Sequence, residues 1–198
     1  MNTKSIQNSP PFIQSINPSA TTLRVLSNTD QMRYGLLQNM LDHQESGRSL
    51  FFLTLTYKPF QNKIYSPEDV DQFFTRFYVH HFLPELLQTR HYNRSKFRPL
   101  QPNTYAFIDE HKPTTIKSRT NPDLIEISSK LHHHAVLAVH PDTLERIQSL
   151  AGENTMNTGF SSKIMTTDLK PCDAGAVGYS SKMLKKFPDF LIFPDKLK

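Results

Sequence analysis

Three consecutive histidines, His132 to His134, interrupt an apolar run that extends from Leu131 to Val139. Successive side chains of a β-strand point to opposite faces of a sheet, so in a strand His132 and His134 would share one face. Two imidazoles on the same face can bind one metal ion. The run therefore predicts a central strand that carries a candidate pair of metal ligands. A solvated loop with a chance run of histidines is the alternative interpretation.

A second pattern lies near the end of the chain. If Asp173 to Phe187 form a helix, the helical period of about 100° per residue places Tyr179, Lys182 and Lys186 on one stripe. A phenolic nucleophile that acts on a phosphate would need such ammonium groups beside it. We therefore take Tyr179 as a candidate nucleophile and Lys182 as its candidate catalytic partner. The alternative is an ordinary amphipathic helix with solvated lysines and a tyrosine at the edge of the core.

The remaining elements follow from hydrophobic periodicity and from capping residues. The clearest start is Ser66 as a cap with Pro67 in the first turn of a helix. Further helices are predicted from Asn28 or Thr29 to Glu45 and from Pro141 to Leu150. The predicted strands are Thr22–Leu26, Leu50–Tyr57, Tyr105–Glu110, Leu131–Val139 and Phe160–Leu169. This order of elements predicts an α+β fold, an antiparallel sheet with flanking helices that lie largely on one face.

The length and composition of the chain indicate one domain. Its 198 residues can bury one sizeable core and are too few for two full domains. Residues 1–20 are rich in Ser, Asn and Pro and lack periodicity, which predicts a flexible N-terminal arm. Residues 21–198 would then form a single domain. Within it, the segment from His111 to Lys130 is expected to be an extended loop or a β-arm.

The charge of the chain favours a polyanionic partner. Its net charge is +5 and its calculated isoelectric point is about 9.3. Basic residues alternate with aromatic ones between Gln88 and Pro102, a pattern typical of a solvated loop or of a loop that stacks on exposed bases. Arg90 and Arg94 in this loop are candidate DNA contacts.

Membrane association and a disulfide framework are not expected. No apolar run approaches the length of a membrane span, and the polar N-terminus has no signal-peptide pattern. Cys172 is the only cysteine, which excludes an intramolecular disulfide and a Cys-based zinc cluster. These features predict a protein of the reducing cytoplasm.

Four segments resemble, in order, the motifs of rolling-circle replication initiators of the HUH endonuclease superfamily: Phe51–Tyr57, Phe107–Glu110, His132–Leu137 and Tyr179–Lys182. The single tyrosine is similar to the single-tyrosine branch of that superfamily. The resemblance implies a ferredoxin-like HUH endonuclease core. It also implies metal-dependent, sequence-specific nicking and joining of single-stranded DNA at a plasmid or phage replication origin, through a 5′-phosphotyrosine intermediate.

The resemblance assigns roles to individual residues. Tyr179 would be the nucleophile and Lys182 its catalytic partner, while His132, His134 and Glu110 would bind Mn²⁺ or Mg²⁺. The residues expected to contact DNA are Thr54, Thr56, Arg90, Arg94 and Lys186. The DNA would be a single-stranded or hairpin origin, and a host helicase and polymerase would be further partners.

Both the carboxylate ligand and the histidine register have alternatives. Asp109 should point to the face opposite Glu110 and is the less favoured ligand, while His111 is a second choice if the strand breaks there. The family usually has an apolar residue where His133 stands, which leaves His133 and His140 as an alternative pair of ligands.

Two other function classes stay open. A conjugative relaxase or a single-tyrosine transposase would use the same chemistry. Relaxases usually have a third histidine ligand and a nucleophile near the N-terminus, whereas Tyr179 is near the C-terminus. A non-catalytic DNA-binding regulator would instead bind DNA without a metal and form no covalent adduct.

Overall fold

The computed structural model describes residues 27–57, 65–110, 131–152 and 165–194. The predicted N-terminal arm (1–20), the predicted strand over 22–26 and the segment 111–130 lie outside the described residues. Among the described residues, no helix combines the length and the hydrophobicity needed to cross a lipid bilayer.

The described part of the chain contains five α-helices and five strands. The helices are α1 (Asn28–Glu45), α2 (Pro67–Phe77), α3 (Leu83–Leu87), α4 (Leu144–Gly152) and α5 (Ala176–Ser180), and a π-helical turn (Tyr78–Phe82) joins α2 to α3. The strands are β1 (Ser49–Tyr57), β2 (Asn103–Glu110), β3 (Leu131–Val139), β4 (Met165–Pro171) and β5 (Leu191–Phe193). Most predicted elements are therefore confirmed, with boundaries that shift by a few residues.

The strands form one five-stranded antiparallel sheet in the order β4-β1-β3-β2-β5. Helices α2 and α3 connect β1 to β2, and α4 connects β3 to β4. A β-α-β-β-α-β sequence with the strand order 4-1-3-2 is the ferredoxin-like arrangement, to which β5 adds one edge strand. The predicted α+β fold, an antiparallel sheet with flanking helices, is confirmed.

The helices cover both faces of the sheet rather than largely one. On the first face, apolar residues of α2, α3 and α4 pack against alternate residues of the strands, such as Leu53 and Leu137. On the second face, α1 and α5 pack against the intervening residues, such as Phe52 and Val136. The two sets alternate along each strand because successive side chains point to opposite faces. His132 and His134 share the parity of Val136 and therefore belong to the second face.

Capping residues fix the starts of the two long helices. The Ser66 hydroxyl accepts a hydrogen bond from the Asp69 amide, and the Asp69 carboxylate accepts one from the Ser66 amide. This reciprocal capping box satisfies two backbone donors that a helix start leaves without intrahelical partners. The Ser27 hydroxyl caps α1 by accepting a hydrogen bond from the Asp30 amide.

The predicted long helix from Asp173 to Phe187 is wrong in its length. The α-helix spans only Ala176–Ser180 and continues as a 3₁₀ turn over Ser181–Met183. The hydroxyls of Ser180 and Ser181 donate to carbonyls of the preceding turn, including that of Val177. Such side-chain bonds compete with the regular helical pattern, which accounts for the early end of α5.

Candidate metal centre

The pairing of β2 with β3 places one acidic residue beside the two histidines. Asp109 lies opposite His132, and Phe107 lies opposite His134. Residues that face each other across an antiparallel pair project from the same face of the sheet. The Asp109 carboxylate therefore lies on the same face as the two imidazoles.

Asp109, His132 and His134 form a buried group that could hold a metal ion. The Asp109 Oδ2 atom lies 3.5 Å from His132 Nε2 and 3.2 Å from His134 Nε2, and the two Nε2 atoms are 2.9 Å apart. Adjacent ligand atoms around an octahedral ion with bonds of about 2.1 Å are about 3 Å apart. Two imidazole nitrogens and one carboxylate oxygen are also a common donor set for divalent metals. The residues present therefore fit a divalent ion.

The structure brings Asp109 to the histidine pair and not Glu110, which the sequence analysis favoured. Glu110 lies opposite Leu131, so its side chain leaves the sheet on the other face, and its carboxylate pairs with Lys186. The expectation that Asp109 points away from the histidines was wrong. A shift of one residue in strand register exchanges the two faces, and sequence alone does not fix that register.

Lys182 compensates the buried charge of Asp109. Its Nζ lies 2.6 Å from Asp109 Oδ2, although the Asp109 side chain is only 2% exposed and that of Lys182 is 41% exposed. Burial raises the pKa of Asp109, but the contacts with Lys182 and with the Glu110 amide outweigh it and leave this pKa below its ordinary value. Asp109 is therefore an anion at neutral pH and can serve as a ligand.

Tyr179 projects from α5 over the same centre. Its ring centroid is 5.3 Å from that of His134 and 6.1 Å from that of Phe52, yet the residue is 53% exposed. The ammonium of Lys182 lies 4.3 Å from the centre of the Tyr179 ring. Tyr179 and Lys182 therefore lie close to the histidine pair, while Lys186 lies beside Glu110.

Thr54 supports one of the candidate ligands. It lies opposite His134 across the β1–β3 pair, with its Oγ1 atom 3.1 Å from His134 Nδ1. With Nε2 of His134 on a metal, Nδ1 would carry the proton and donate to Thr54. Thr56 lies opposite His132 on the same face. From the sequence, both threonines are expected to contact DNA; in the structure Thr54 contacts His134, a candidate metal ligand.

His133 faces the opposite side of the sheet and is fully buried there. Its Nδ1 lies 2.8 Å from the Tyr57 hydroxyl, and its Nε2 lies 2.8 Å from Asp71 Oδ1. Burial lowers the pKa of His133 in spite of the nearby Asp71. His140 lies past the end of β3, where its Nδ1 accepts from the Asp142 amide. The alternative ligand pair, His133 and His140, is therefore not brought together.

Arg33 on α1 is a residue of this region that the sequence analysis missed. Its guanidinium donates to the carbonyl of Gly178 at 3.0 Å and to the hydroxyl of Ser181 at 3.2 Å. These contacts attach the segment that carries Tyr179 to a long helix. The periodicity of α1 indicated its apolar positions only, and no local signal connects Arg33 with a segment some 145 residues away.

The basic loop, residues 88–102, lies at the end of the sheet opposite to Asp109. Arg48, which precedes β1, donates to the carbonyls of Pro99, Gln101 and Ala138 and so attaches this loop near the start of β2. Asp109 is six positions along β2 from its start at Asn103, a span of about 20 Å at the rise of a strand. The structure therefore does not bring Arg90 and Arg94 to the metal centre.

Comparison with known protein families, with curated protein sequences and with solved structures finds no significant match to this chain.

Proposed function

We propose that the protein is a metal-dependent DNA endonuclease and strand transferase of the HUH type, with Tyr179 as its nucleophile. The observation that carries the proposal is the position of the Tyr179 ring beside His134 and below the Lys182 ammonium. The same ammonium contacts Asp109 of the buried Asp/His/His group. An exposed phenol, a cation and a candidate metal group are thus within reach of one phosphodiester.

The bound ion, which we propose is Mn²⁺ or Mg²⁺, would withdraw charge from the scissile phosphate. The chain itself would supply the remaining chemistry. The Tyr179 oxygen would attack phosphorus and give its proton to solvent, while the Lys182 ammonium stabilises the negative charge that develops on the phenolic oxygen. The bond between phosphorus and the 3′ oxygen breaks, and that oxygen takes up a proton. The products are a 5′-phosphotyrosine and a free 3′ hydroxyl.

Three further features support DNA as the substrate. The chain carries a net charge of +5. Tyr179 is exposed, so an extended strand can reach it. Apart from its own helix, a Cβ at Gly178 would meet none of the described residues within 4 Å, so their packing does not require glycine beside Tyr179. The missing side chain leaves room for a DNA backbone. In this proposal the protein nicks and rejoins single-stranded or hairpin origin DNA in a small replicon, in the cytoplasm, with host helicase and polymerase acting afterwards.

The test uses the full-length protein, Mn²⁺ and a pool of single-stranded DNA whose central segment is randomised. A 5′-phosphotyrosine keeps the downstream fragment on the protein, so DNA labelled at its 3′ end should migrate with the protein under denaturing conditions. DNA labelled at its 5′ end should instead be released as a shortened fragment. Tyr179→Phe should form no adduct, because it lacks the only atom that can make the bond.

Tyr105→Phe is the matched control, since Tyr105 projects from the same face and its hydroxyl donates to Asn39. This variant should form adduct at the normal rate. Adduct formation by Tyr179→Phe at the rate of the unchanged protein would assign the nucleophile to another residue. Binding of DNA without adduct and without any need for metal would identify a non-catalytic DNA-binding regulator.

A further inference from the structure

Asp109 Oδ2 contacts Lys182 and is also the oxygen that a metal ion would bind. Asp109 Oδ1 accepts a hydrogen bond from the Glu110 amide at 2.8 Å and is therefore already engaged. Asp109 Oδ2 faces both histidine Nε2 atoms and also lies 2.6 Å from Lys182 Nζ. An ion held by this group would need Oδ2, the oxygen that the Lys182 ammonium contacts.

We propose that Lys182 is a built-in competitor of the metal, and that metal binding releases its ammonium from Asp109 to act at Tyr179 and the substrate phosphate. This inference rests on the metal centre of the proposed function. It extends that function by connecting the loading of the metal with the assembly of the nucleophile.

The exchange follows from the need to neutralise a buried carboxylate. Asp109 is 2% exposed, and an uncompensated buried anion is strongly unfavourable. The Lys182 ammonium supplies the opposite charge when no ion is bound. A divalent ion on the same oxygen supplies more positive charge and repels the ammonium at short distance. The two cations therefore exclude one another at Oδ2.

The Lys182 ammonium, once released from Asp109, can move to Tyr179. The Lys182 side chain is 41% exposed and its Nζ lies 4.3 Å from the centre of the Tyr179 ring. Rotation of its flexible stem is sufficient to move the charge from Asp109 toward the tyrosine hydroxyl and a bound phosphate. Without the ion, the Lys182 ammonium is shared between Asp109 and Tyr179, so its charge is only partly available to the nucleophile.

Lys186 provides a matched comparison. It is four residues from Lys182 in the same segment and pairs with Glu110, whose side chain lies on the other face of the sheet from the histidine pair. Replacement of either lysine by methionine removes one positive charge and retains a flexible apolar stem. Only Lys182→Met removes a charge from the oxygen that the metal needs.

The experiment measures the affinity of the full-length protein for Mn²⁺ alone by isothermal titration calorimetry, without DNA. Lys182→Met should bind Mn²⁺ about tenfold more tightly than the unchanged protein, since a cation a few ångströms from the ion is removed in a partly solvated site. Lys182→Gln should behave in the same way, whereas Lys182→Arg, which keeps the charge, should not gain affinity. Lys186→Met should stay within about threefold of the unchanged protein.

The proposal is overturned if both neutral Lys182 variants, with unfolding midpoints like that of the unchanged protein, bind Mn²⁺ equally or more weakly. It is also overturned if Lys186→Met gains as much affinity, because the effect would then be one of general charge. The adduct assay is independent of these titrations. Tighter Mn²⁺ binding by the Lys182 variants without any adduct from the unchanged protein would refute the nuclease and retain the competition.

Discussion

Asp109 faces His132 directly across the antiparallel β2–β3 pair, and this register determines which acidic residue joins the histidine pair. Neighbouring residues of a strand project to opposite faces, so the same register sends Glu110 away from the centre. Asp109 can therefore serve as a metal ligand, whereas Glu110 pairs with Lys186.

Asp109→Asn should abolish Mn²⁺ binding or weaken it by about a hundredfold or more, because a neutral amide replaces the anionic member of the Asp109, His132 and His134 group. Glu110→Gln should leave Mn²⁺ affinity within about threefold, since Glu110 pairs with Lys186 instead. Calorimetric titration of both variants provides the measurement. Equal loss of affinity in the two variants would show that the register of β2 in solution differs from the one described.

The sequence predicted those parts of the fold that depend on local patterns. The capping residues around Ser66 and the alternation within Leu131–Val139 each have a local cause, and both elements form as predicted. The choice between Asp109 and Glu110 depends on how β2 pairs with β3, which are separated in the chain by residues 111–130. Strand pairing over such a distance has no local signature.

The contacts of Thr54 and Arg33 could not be predicted for a related reason. Thr54 reaches His134 only because β1 and β3, distant in sequence, are neighbours in the sheet. Arg33 reaches Gly178 only because α1 and α5 pack on the same face. Such contacts belong to the assembled fold, whereas the presence of the histidine pair and of Tyr179 could be read from the sequence.

Thr54 should matter for the metal through its contact with His134. Thr54→Val keeps the β-branched shape but removes the hydroxyl near Nδ1, so the ring loses the partner that orients Nε2. We expect a loss of Mn²⁺ affinity of about tenfold to a hundredfold, the usual range for such supporting residues. Thr54→Ser should restore most of the affinity.

Thr56→Val is the control for this change, because Thr56 lies on the same face two residues further along β1. It should change Mn²⁺ affinity much less than Thr54→Val. A similar loss from both valine variants would indicate that the polarity of the strand, rather than the contact with His134, governs metal binding.

Arg33 should affect the tyrosine without affecting the metal. Arg33→Gln removes the guanidinium that holds Gly178 and Ser181, which frees the segment carrying Tyr179. A misplaced nucleophile reacts more slowly, and we expect adduct formation at saturating DNA to fall by about tenfold to a hundredfold. Mn²⁺ affinity, measured on the same preparation, should not change.

Arg33→Lys keeps the charge but cannot make both contacts in the same geometry. Its rate of adduct formation should therefore lie between that of the unchanged protein and that of Arg33→Gln. An unchanged rate in Arg33→Gln would mean that α5 holds its position without α1. A parallel loss of Mn²⁺ affinity would assign Arg33 to general folding rather than to the placement of Tyr179.

Tyr57 should contribute to stability and not to chemistry. Its buried hydroxyl donates to the Val70 carbonyl and lies beside His133, on the face of the sheet opposite to the metal centre. Tyr57→Phe should lower the free energy of unfolding by about 1–3 kcal/mol, because buried polar partners lose a hydrogen bond. Denaturant unfolding measures this loss, and the rate of adduct formation at a temperature where the variant is folded should be unchanged. If Tyr57→Phe has normal stability but forms no adduct, Tyr57 takes part in the chemistry and not in stability.

The basic loop should contribute to DNA affinity from a distance. Arg90 and Arg94 are exposed and belong to the loop before β2, at the end of the sheet opposite to Asp109, so they can contact phosphates but not the reacting one. Replacement of both by alanine should weaken binding of single-stranded DNA to a similar extent for all sequences. It should also reduce the slope of log affinity against log salt concentration by about 1.4, since each phosphate contact on a single strand contributes about 0.7.

At saturating DNA the adduct should form at the normal rate, because the groups around Tyr179 are untouched. An unchanged salt slope would show that DNA does not pass over this loop, and a reduced rate at saturation would mean that the loop also positions the strand at Tyr179.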